Sequence, residues 1–298
     1  MKASVHCTNP SCTVSNNSQA RIARFGFFRR RCDSKRIQRY RCQACKTTFS
    51  NQTFNLTYRQ HLPRVNGAVA DLLCSKVSMR QVARLLGINH KTVAVKQKWY
   101  AKVARLKHQR FLQKQKNIAY VQMDEMETYE HTICKPLSIA LAVNARTREI
   151  IAARVAVMPA KGKLAKISRD IYGLRVDQRK ANFQEALRIV KSVCSSNPNI
   201  LTDMKPAYRP WIKAIMPKAK HEVTKGRRGC VAGYGEMKQG GFDPLFSLNH
   251  TAAMIRDNLA RMLRRTWCGS KRLAALQDAL DLYTYMHNRR LKLAAYQQ

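Results

Sequence analysis

Four acidic side chains, Asp124, Glu125, Glu127 and Glu130, fall within seven positions of the stretch VQMDEMETYE, and a fifth, Asp203, closes the apolar run NILTD. Carboxylates brought close together repel one another unless divalent cations lie between them. Asp124 and Asp203 are therefore candidates to hold two Mg²⁺ (or Mn²⁺) ions ~4 Å apart, a site that activates a water or a 3′-hydroxyl for in-line phosphoryl transfer. Taken alone, the cluster at 124–130 reads better as a solvated acidic strand end. Pleat alternation puts Asp124 and Met126 on one side of a strand and Glu125 and Glu127 on the other, so Glu125 is the weaker ligand candidate.

Cys7, Cys12, Cys42 and Cys45 make a second constellation, in CTNPSC and CQAC. Two close cysteine pairs held apart by a longer stretch supply four thiolates that can close a tetrahedron around Zn²⁺. Buried free cysteines are the bland alternative, and Cys32 or His6 could replace one ligand. Between the pairs, RIARFGFFRRR and KRIQRYRC alternate as strands with basic outer faces, and KTTFS reads as a further strand carrying an aromatic into a small core. A domain of ~50 residues needs such a metal staple. The other cysteines (Cys74, Cys134, Cys194, Cys230, Cys268) stand singly and read as small core or surface residues.

The charge balance points to the partner. With 56 Lys plus Arg against 17 Asp plus Glu, the formal net charge is +39. Self-repulsion of that size is tolerable beside a polyanion, which favours nucleic acid over a ribosome-type or membrane-surface protein. Residues 1–120 hold only two acids, Asp33 and Asp71, against 25 Lys plus Arg. MKASVHC lacks an apolar signal region, and the apolar runs IALAV and IIAARVAV are too short to span a bilayer, so no membrane is expected. Ten cysteines do not imply disulfides in a chain that is not small and shows no export signal, so a reducing, cytoplasmic setting is expected.

The positioning elements divide at LKHQRFLQKQKN, which predicts a zinc-bound β module over 1–50, an all-α module over 51–116 and an α/β domain over 117–298. In SMRQVARLLGINHKTVAVKQKWYAKVARL, Ser78 and Gln81 form a capping box, Gly87 permits a tight turn, and Asn89 caps a second helix starting at His90. This is a helix-turn-helix pattern whose second helix presents His90, Lys91, Thr92 and Lys96 to a major groove; an ordinary helical hairpin is the alternative. Beyond residue 117, IAYVQMDEMET, LSIALAVNA and REIIAARVAVMPA read as a three-stranded meander, NFQEALRIVKSV as a helix and NILTD as a fourth strand. The order β-β-β-α-β is the skeleton of the ribonuclease-H-like fold, in which the first and fourth strands are neighbours, so Asp124 and Asp203 are expected side by side. A later helix, FSLNHTAAMIRDNLARMLRRTW, shows an apolar stripe through Leu248, Ala252, Ile255, Leu259 and Met262. Asn249 and Arg256 share another face, from which Arg256 could approach a phosphate. The Gly- and Lys-rich stretch at about 217–246 reads as an insertion able to lie along a DNA backbone.

With YRCQACKTTFS after an earlier cysteine pair, VARLLGINHKTV, MDEMET, LTDMKPAY and RDNLARMLRRTWCGSK in this order, the chain resembles transposases of the bacterial insertion-sequence-one type, with the InsA-like and InsB-like frames joined. The resemblance implies an RNase-H-like catalytic domain with a metal-binding acidic triad, usually Asp, Asp, Glu. It places Asn249-His250 where a Glu-Arg pair is usual. Three explanations stand: Asn249 is the third Mg²⁺ ligand, Glu236 supplies the carboxylate from the insertion, or the element is inactive. Asn249 is preferred because it starts the matching helix, whereas Glu236 sits among glycines.

The resulting expectation is a Mg²⁺-dependent DNA transposase, cytoplasmic and associated with the bacterial nucleoid. It would carry structural Zn²⁺, bind double-stranded terminal inverted repeats and target DNA, and form a homo-oligomer in its synaptic complex. A non-catalytic DNA-binding repressor, an inactivated transposase and a junction-type nuclease are the competing expectations.

Overall fold

The computed structural model describes residues 5–13, 21–31, 33–55, 57–225, 243–263 and 267–295. The chain is mixed α/β with two sheets and divides into two compact units, 1–67 and 68–298.

In the first unit, β1 (Ile22–Arg29), β2 (Arg36–Cys42) and β3 (Thr48–Ser50) form an antiparallel sheet in that order. The register slips between Arg24 and Phe27, where Gly26 takes a φ of 63° that a side chain would resist. The small core consists of Cys7, Cys12, Cys42 and Phe49, with Tyr40 and Phe54 packed against it. That is too little apolar surface to hold a unit of this size unaided.

The division falls within the first turn of α1 (Asn66–Leu73), and the second unit continues with α2 (Met79–Leu85) and α3 (His90–Lys114). Ser78 and Gln81 form the reciprocal capping box, Gly87 turns the chain at φ 60°, and the Asn89 side chain accepts from the Lys91 N–H at 2.8 Å. Each of these orphan donors at a helix start thus finds an acceptor. A five-stranded sheet follows, built from β4 (Ile118–Glu130), β5 (Thr132–Asn144), β6 (Ile150–Val157), β7 (Cys194–Thr202) and β8 (Lys220–Val223), in the order β6-β5-β4-β7-β8. β4, β5 and β6 run antiparallel; β7 is parallel to β4 and β8 parallel to β7. The parallel pairings need crossovers, which α4 (Leu164–Tyr172), α5 (Arg179–Lys191) and α6 (Tyr208–Ile215) supply. Phe183, Ala186, Leu187 and Val190 of α5 bury against Met123, Ala140, Ala142 and Ile200 of the sheet.

α7 (Phe246–Asn258) and α8 (Leu273–Ala295) complete the unit. β6 is an edge strand, and α8 covers its unpaired backbone. The Asn288 side chain accepts from the Ile150 N–H (2.8 Å) and donates to the Ile150 carbonyl (2.9 Å), while Gln277 does the same for Val155 N–H and Ala153 carbonyl (both 2.9 Å).

Several elements differ from the sequence reading. α7 stops at Asn258 because Leu259 turns extended, so the continuous helix expected through residue 267 does not form; of the expected stripe, Leu248 and Ile255 on α7 and Leu259 and Met262 beyond it are buried, joined by Ser247 and Thr251, while Ala252 is half-buried. β7 begins at Cys194, since its exposed Ser196 and Asn197 carry no apolar signal. The break read at residue 116 coincides with the end of α3 at Lys114 and the start of β4 at Ile118, and both elements lie in the second unit, where Arg105 of α3 pairs with Asp278 (3.0 Å) and Asp281 (2.5 Å) of α8. Residues 226–242 of the expected insertion lie outside the described residues.

Candidate metal centre and carboxylate site

The β2–β3 turn and the N-terminal segment bring the four cysteines together: the Sγ atoms of Cys7, Cys12, Cys42 and Cys45 all lie within 4.8 Å of one another. Cys7 and Cys45 approach to 3.5 Å and Cys12 and Cys42 to 3.9 Å. A tetrahedral ion with bonds of ~2.3 Å to sulfur has edges of ~3.8 Å, so the donor set and spacing suit a metal such as zinc. Burial pushes the Cys7 thiol up to about 12, whereas the neighbouring Thr47 hydroxyl, 3.3 Å from Sγ, and the Thr47 backbone hold Cys45 down at about 6. A cation among the sulfurs favours the thiolate at every one of them. The His6 ring packs against Phe54 at 4.7 Å and is not part of the four-sulfur cluster; Cys32 and Cys230 lie outside the described residues.

The second site is made by strand pairing. Gln122 of β4 is level with Leu201 of β7 in a parallel register, so continuing two residues sets Asp203 beside Asp124 on the adjacent strand. Both carboxylates are half-buried. Asp124 Oδ1 accepts from the Tyr208 hydroxyl (2.8 Å) and from the Glu125 N–H (2.6 Å), while Oδ2 has no hydrogen-bond partner among the described residues. Burial pushes the Asp124 carboxyl above its usual range; the Glu125 N–H opposes this, and the negative charge of Asp203 adds to the rise. Asp203 Oδ1 accepts from the Lys205 N–H at 3.0 Å, which shapes the turn leaving β7.

Glu125 is engaged differently. Its carboxylate forms an ion pair with Lys205 and accepts from Ser138 Oγ (2.6 Å) and the Tyr208 hydroxyl (3.3 Å). The buried Tyr208 ring stacks on Phe183 at 4.6 Å and meets Trp211, which fixes where its hydroxyl points. Glu127 and Glu130 pair with Lys161 (2.7 Å) and Lys135 (2.9 Å). Of the four clustered acids, only Asp124 and Glu125 thus enter the Tyr208 network. Tyr208, Lys205 and Ser138 were not singled out from the sequence, although LTDMKPAY places Lys205 and Tyr208 directly after Asp203.

α7 is tied to β4 by Gln122, two residues before Asp124: its amide donates to the Pro244 carbonyl (2.7 Å) and accepts from the Leu248 N–H (2.9 Å). Asn249 lies exposed on this helix and donates to Asp243 Oδ2 at 2.9 Å; none of its hydrogen bonds among the described residues reaches Asp124 or Asp203. Asp243, whose other oxygen accepts from the Leu245 N–H (3.0 Å), was also missed, though an acid before an apolar helix is a start signal. Glu236 lies outside the described residues.

Of the residues read as facing DNA, His90 and Lys91 are exposed and Thr92 half-buried in the first turn of α3. Lys96, expected to face a groove, instead points inward. It is only 4% exposed, because it falls on the inward stripe with Val93, Gln97, Ala101 and Ala104. Arg256 is half-buried on α7. On the β1–β2 hairpin, exposed Phe25 and Phe27 carry arginines over their rings, Arg36 at 3.3 Å from Phe27 and Arg39 at 5.2 Å from Phe25. No helix among the described residues is long and apolar enough to cross a membrane. No protein-family model matches the chain, and no curated protein does either.

Proposed function

We propose that the chain is a DNA transposase resembling the insertion-sequence-one type, with residues 117–298 as a ribonuclease-H-like catalytic domain. The observation that carries the reading is the parallel pairing of β4 with β7, which sets Asp124 beside Asp203 in a chain of net charge +39. In this reading Asp124 and Asp203 hold Mg²⁺ (or Mn²⁺), which supplies charge neutralisation and an activated oxygen nucleophile for phosphoryl transfer. Tyr208 orients Asp124 through Oδ1 and leaves Oδ2 for a cation. Lys205 neutralises Glu125 and so keeps a third negative charge from competing at the pair. The third ligand position falls to the start of α7, at Asn249 or its partner Asp243, or to Glu236. The cysteine module acts as a zinc ribbon, and α2–α3 as a helix-turn-helix, which together bind terminal inverted repeats.

The test is strand cleavage and joining on a labelled duplex carrying the element's terminal repeat, with Mg²⁺ or Mn²⁺. The expected result is activity in the parent and its loss in Asp124→Ala and Asp203→Ala, both retaining DNA binding. Parallel Asn249→Ala, Asp243→Ala and Glu236→Ala variants identify the third ligand. Specific binding without any cleavage by the parent protein would replace this reading with that of a repressor or an inactivated transposase.

A further inference from the structure

The carboxylate site leaves unexplained a cavity of about 680 Å³ in the second unit, walled by the starts of α2 and α3 and by the segment leading into α8. Its lining includes Arg80, His90, Arg261, Lys271 and Arg272, and among the described residues that line it there is no Asp or Glu. A concave surface of one sign of charge concentrates the opposite sign.

Two side chains mark the site as built for an anion. The Arg261 guanidinium donates to the Ala275 carbonyl (2.9 Å) and to Gln97 Oε1 (3.1 Å), both neutral, and no described carboxylate forms an ion pair with it. Burial works against its charge, opposed by the field of Asp278. Ser270 is only 4% exposed, lines the same cavity, and its Oγ has no hydrogen-bond partner among the described residues. Its backbone is held in place, since its carbonyl accepts from the His131 N–H at 2.8 Å. Buried polar groups are normally paired, so an orphan hydroxyl in the lining of a cavity that also holds an arginine bonded only to neutral oxygens points to an absent acceptor. The N-terminus of α8, a helix of 23 residues starting at Leu273, adds its positive end to the same wall. Trp267, fully exposed, also lines the cavity and offers a face on which a base can stack.

We propose that this cavity is a phosphate-binding site for a nucleotide, with Ser270, Arg261 and Lys271 on the phosphate and Trp267 against the base. The phosphate belongs either to a free nucleotide or to a DNA strand lying on α3, which shares His90 with the cavity; only the second source rests on the DNA-binding reading above. The site is separate from the Asp124–Asp203 pair, and Ser270→Ala alters no group placed there.

The full-length protein and its Ser270→Ala, Lys271→Gln and Trp267→Ala variants are titrated by calorimetry with inorganic phosphate, deoxyadenosine monophosphate and a duplex, and each is melted in parallel. Ser270→Ala is expected to weaken phosphate binding about 2- to 10-fold, as for one lost hydrogen bond, without lowering the thermal midpoint. Lys271→Gln lowers the salt dependence of the affected ligand by about one ion, and Trp267→Ala weakens the mononucleotide but not inorganic phosphate. Losses for phosphate and the mononucleotide with the duplex unchanged identify a free nucleotide; losses confined to the duplex identify a DNA phosphodiester. Unchanged affinity of Ser270→Ala and Lys271→Gln for all three ligands overturns the proposal. Asp203→Ala, assayed alongside, binds inorganic phosphate and the mononucleotide as the parent does, so failure of the catalytic reading shows in cleavage and failure of this one in binding.

Discussion

Replacing Asp124 by Asn tests whether the carboxylate pair is a cation site held at a cost to the fold. Neighbouring strands run ~4.8 Å apart, and two unit charges about 5 Å apart interact by about 3 kcal/mol at an effective dielectric constant of ~20. Half-exposure and salt reduce this repulsion to ~1–2 kcal/mol. Asn keeps an oxygen for the Tyr208 hydroxyl and the Glu125 N–H but forfeits charge assistance, a loss of up to ~1 kcal/mol. In buffer free of divalent ions the variant is therefore expected to be more stable than the parent by ~0.5–1 kcal/mol, raising the thermal midpoint by ~1–4 °C for a unit of this size.

The pH dependence has a definite sign. The folded carboxyl of Asp124 sits above the usual 3.8, so between that value and its folded pKa the native state holds more protons than the unfolded chain. Stability attributable to this group falls as pH rises through that window and stays low above it. Acidifying into the window therefore narrows the gap between parent and variant. Saturating Mg²⁺, at about 100 times its Kd, adds about 2.7 kcal/mol to the parent alone and reverses the order. Circular dichroism melts with and without Mg²⁺ read all three effects. A variant less stable than the parent without divalent ions, together with no Mg²⁺ response in the parent, would refute the reasoning.

Stripping the metal with a thiol-competing chelator, or Cys42→Ser, should unfold residues 1–67 while the helical signal of residues 68–298 persists; amide exchange resolved by unit checks it. In the metal-free protein Cys45, with its thiol at about 6, should be the first of the four to be alkylated at neutral pH, which peptide mapping reads. Lys91→Ala should lower DNA affinity and reduce the salt slope by about one, whereas Lys96→Ala, being buried, should lower the melting temperature and leave the slope unchanged. Asn288→Ala leaves the N–H and carbonyl of Ile150 unpaired under α8 and should cost about 2–4 kcal/mol in denaturant unfolding; a change below ~1 kcal/mol would mean that water replaces the side chain.

Local chemistry was written in the chain. Two cysteine pairs at ligand spacing, a capping box at Ser78, a turn at Gly87 and a helix beginning at His90 depend on a few consecutive residues, and the structure places all of them where those residues require. The three meander strands were legible for the same reason, since alternation is a short-range pattern. What tertiary packing decided is of longer range. Whether Lys96 faces out depends on which stripe of α3 is covered, and a lysine on a basic helix carries no mark of that. Strand β8 and the edge-covering role of α8 exist through partners far away in sequence, such as Asn288 on Ile150. Charge composition suggested a break near residue 116, where α3 does end, but that helix joins the compact unit that follows, with Arg105 held by Asp278 and Asp281 of α8. Within the acidic cluster, strand alternation separated Asp124 from Glu125 and Glu127 but named no partner for any of the four carboxylates. Their partners came from the fold: Lys205 for Glu125, Lys161 for Glu127, Lys135 for Glu130, and for Asp124 the Tyr208 hydroxyl and the charge of Asp203.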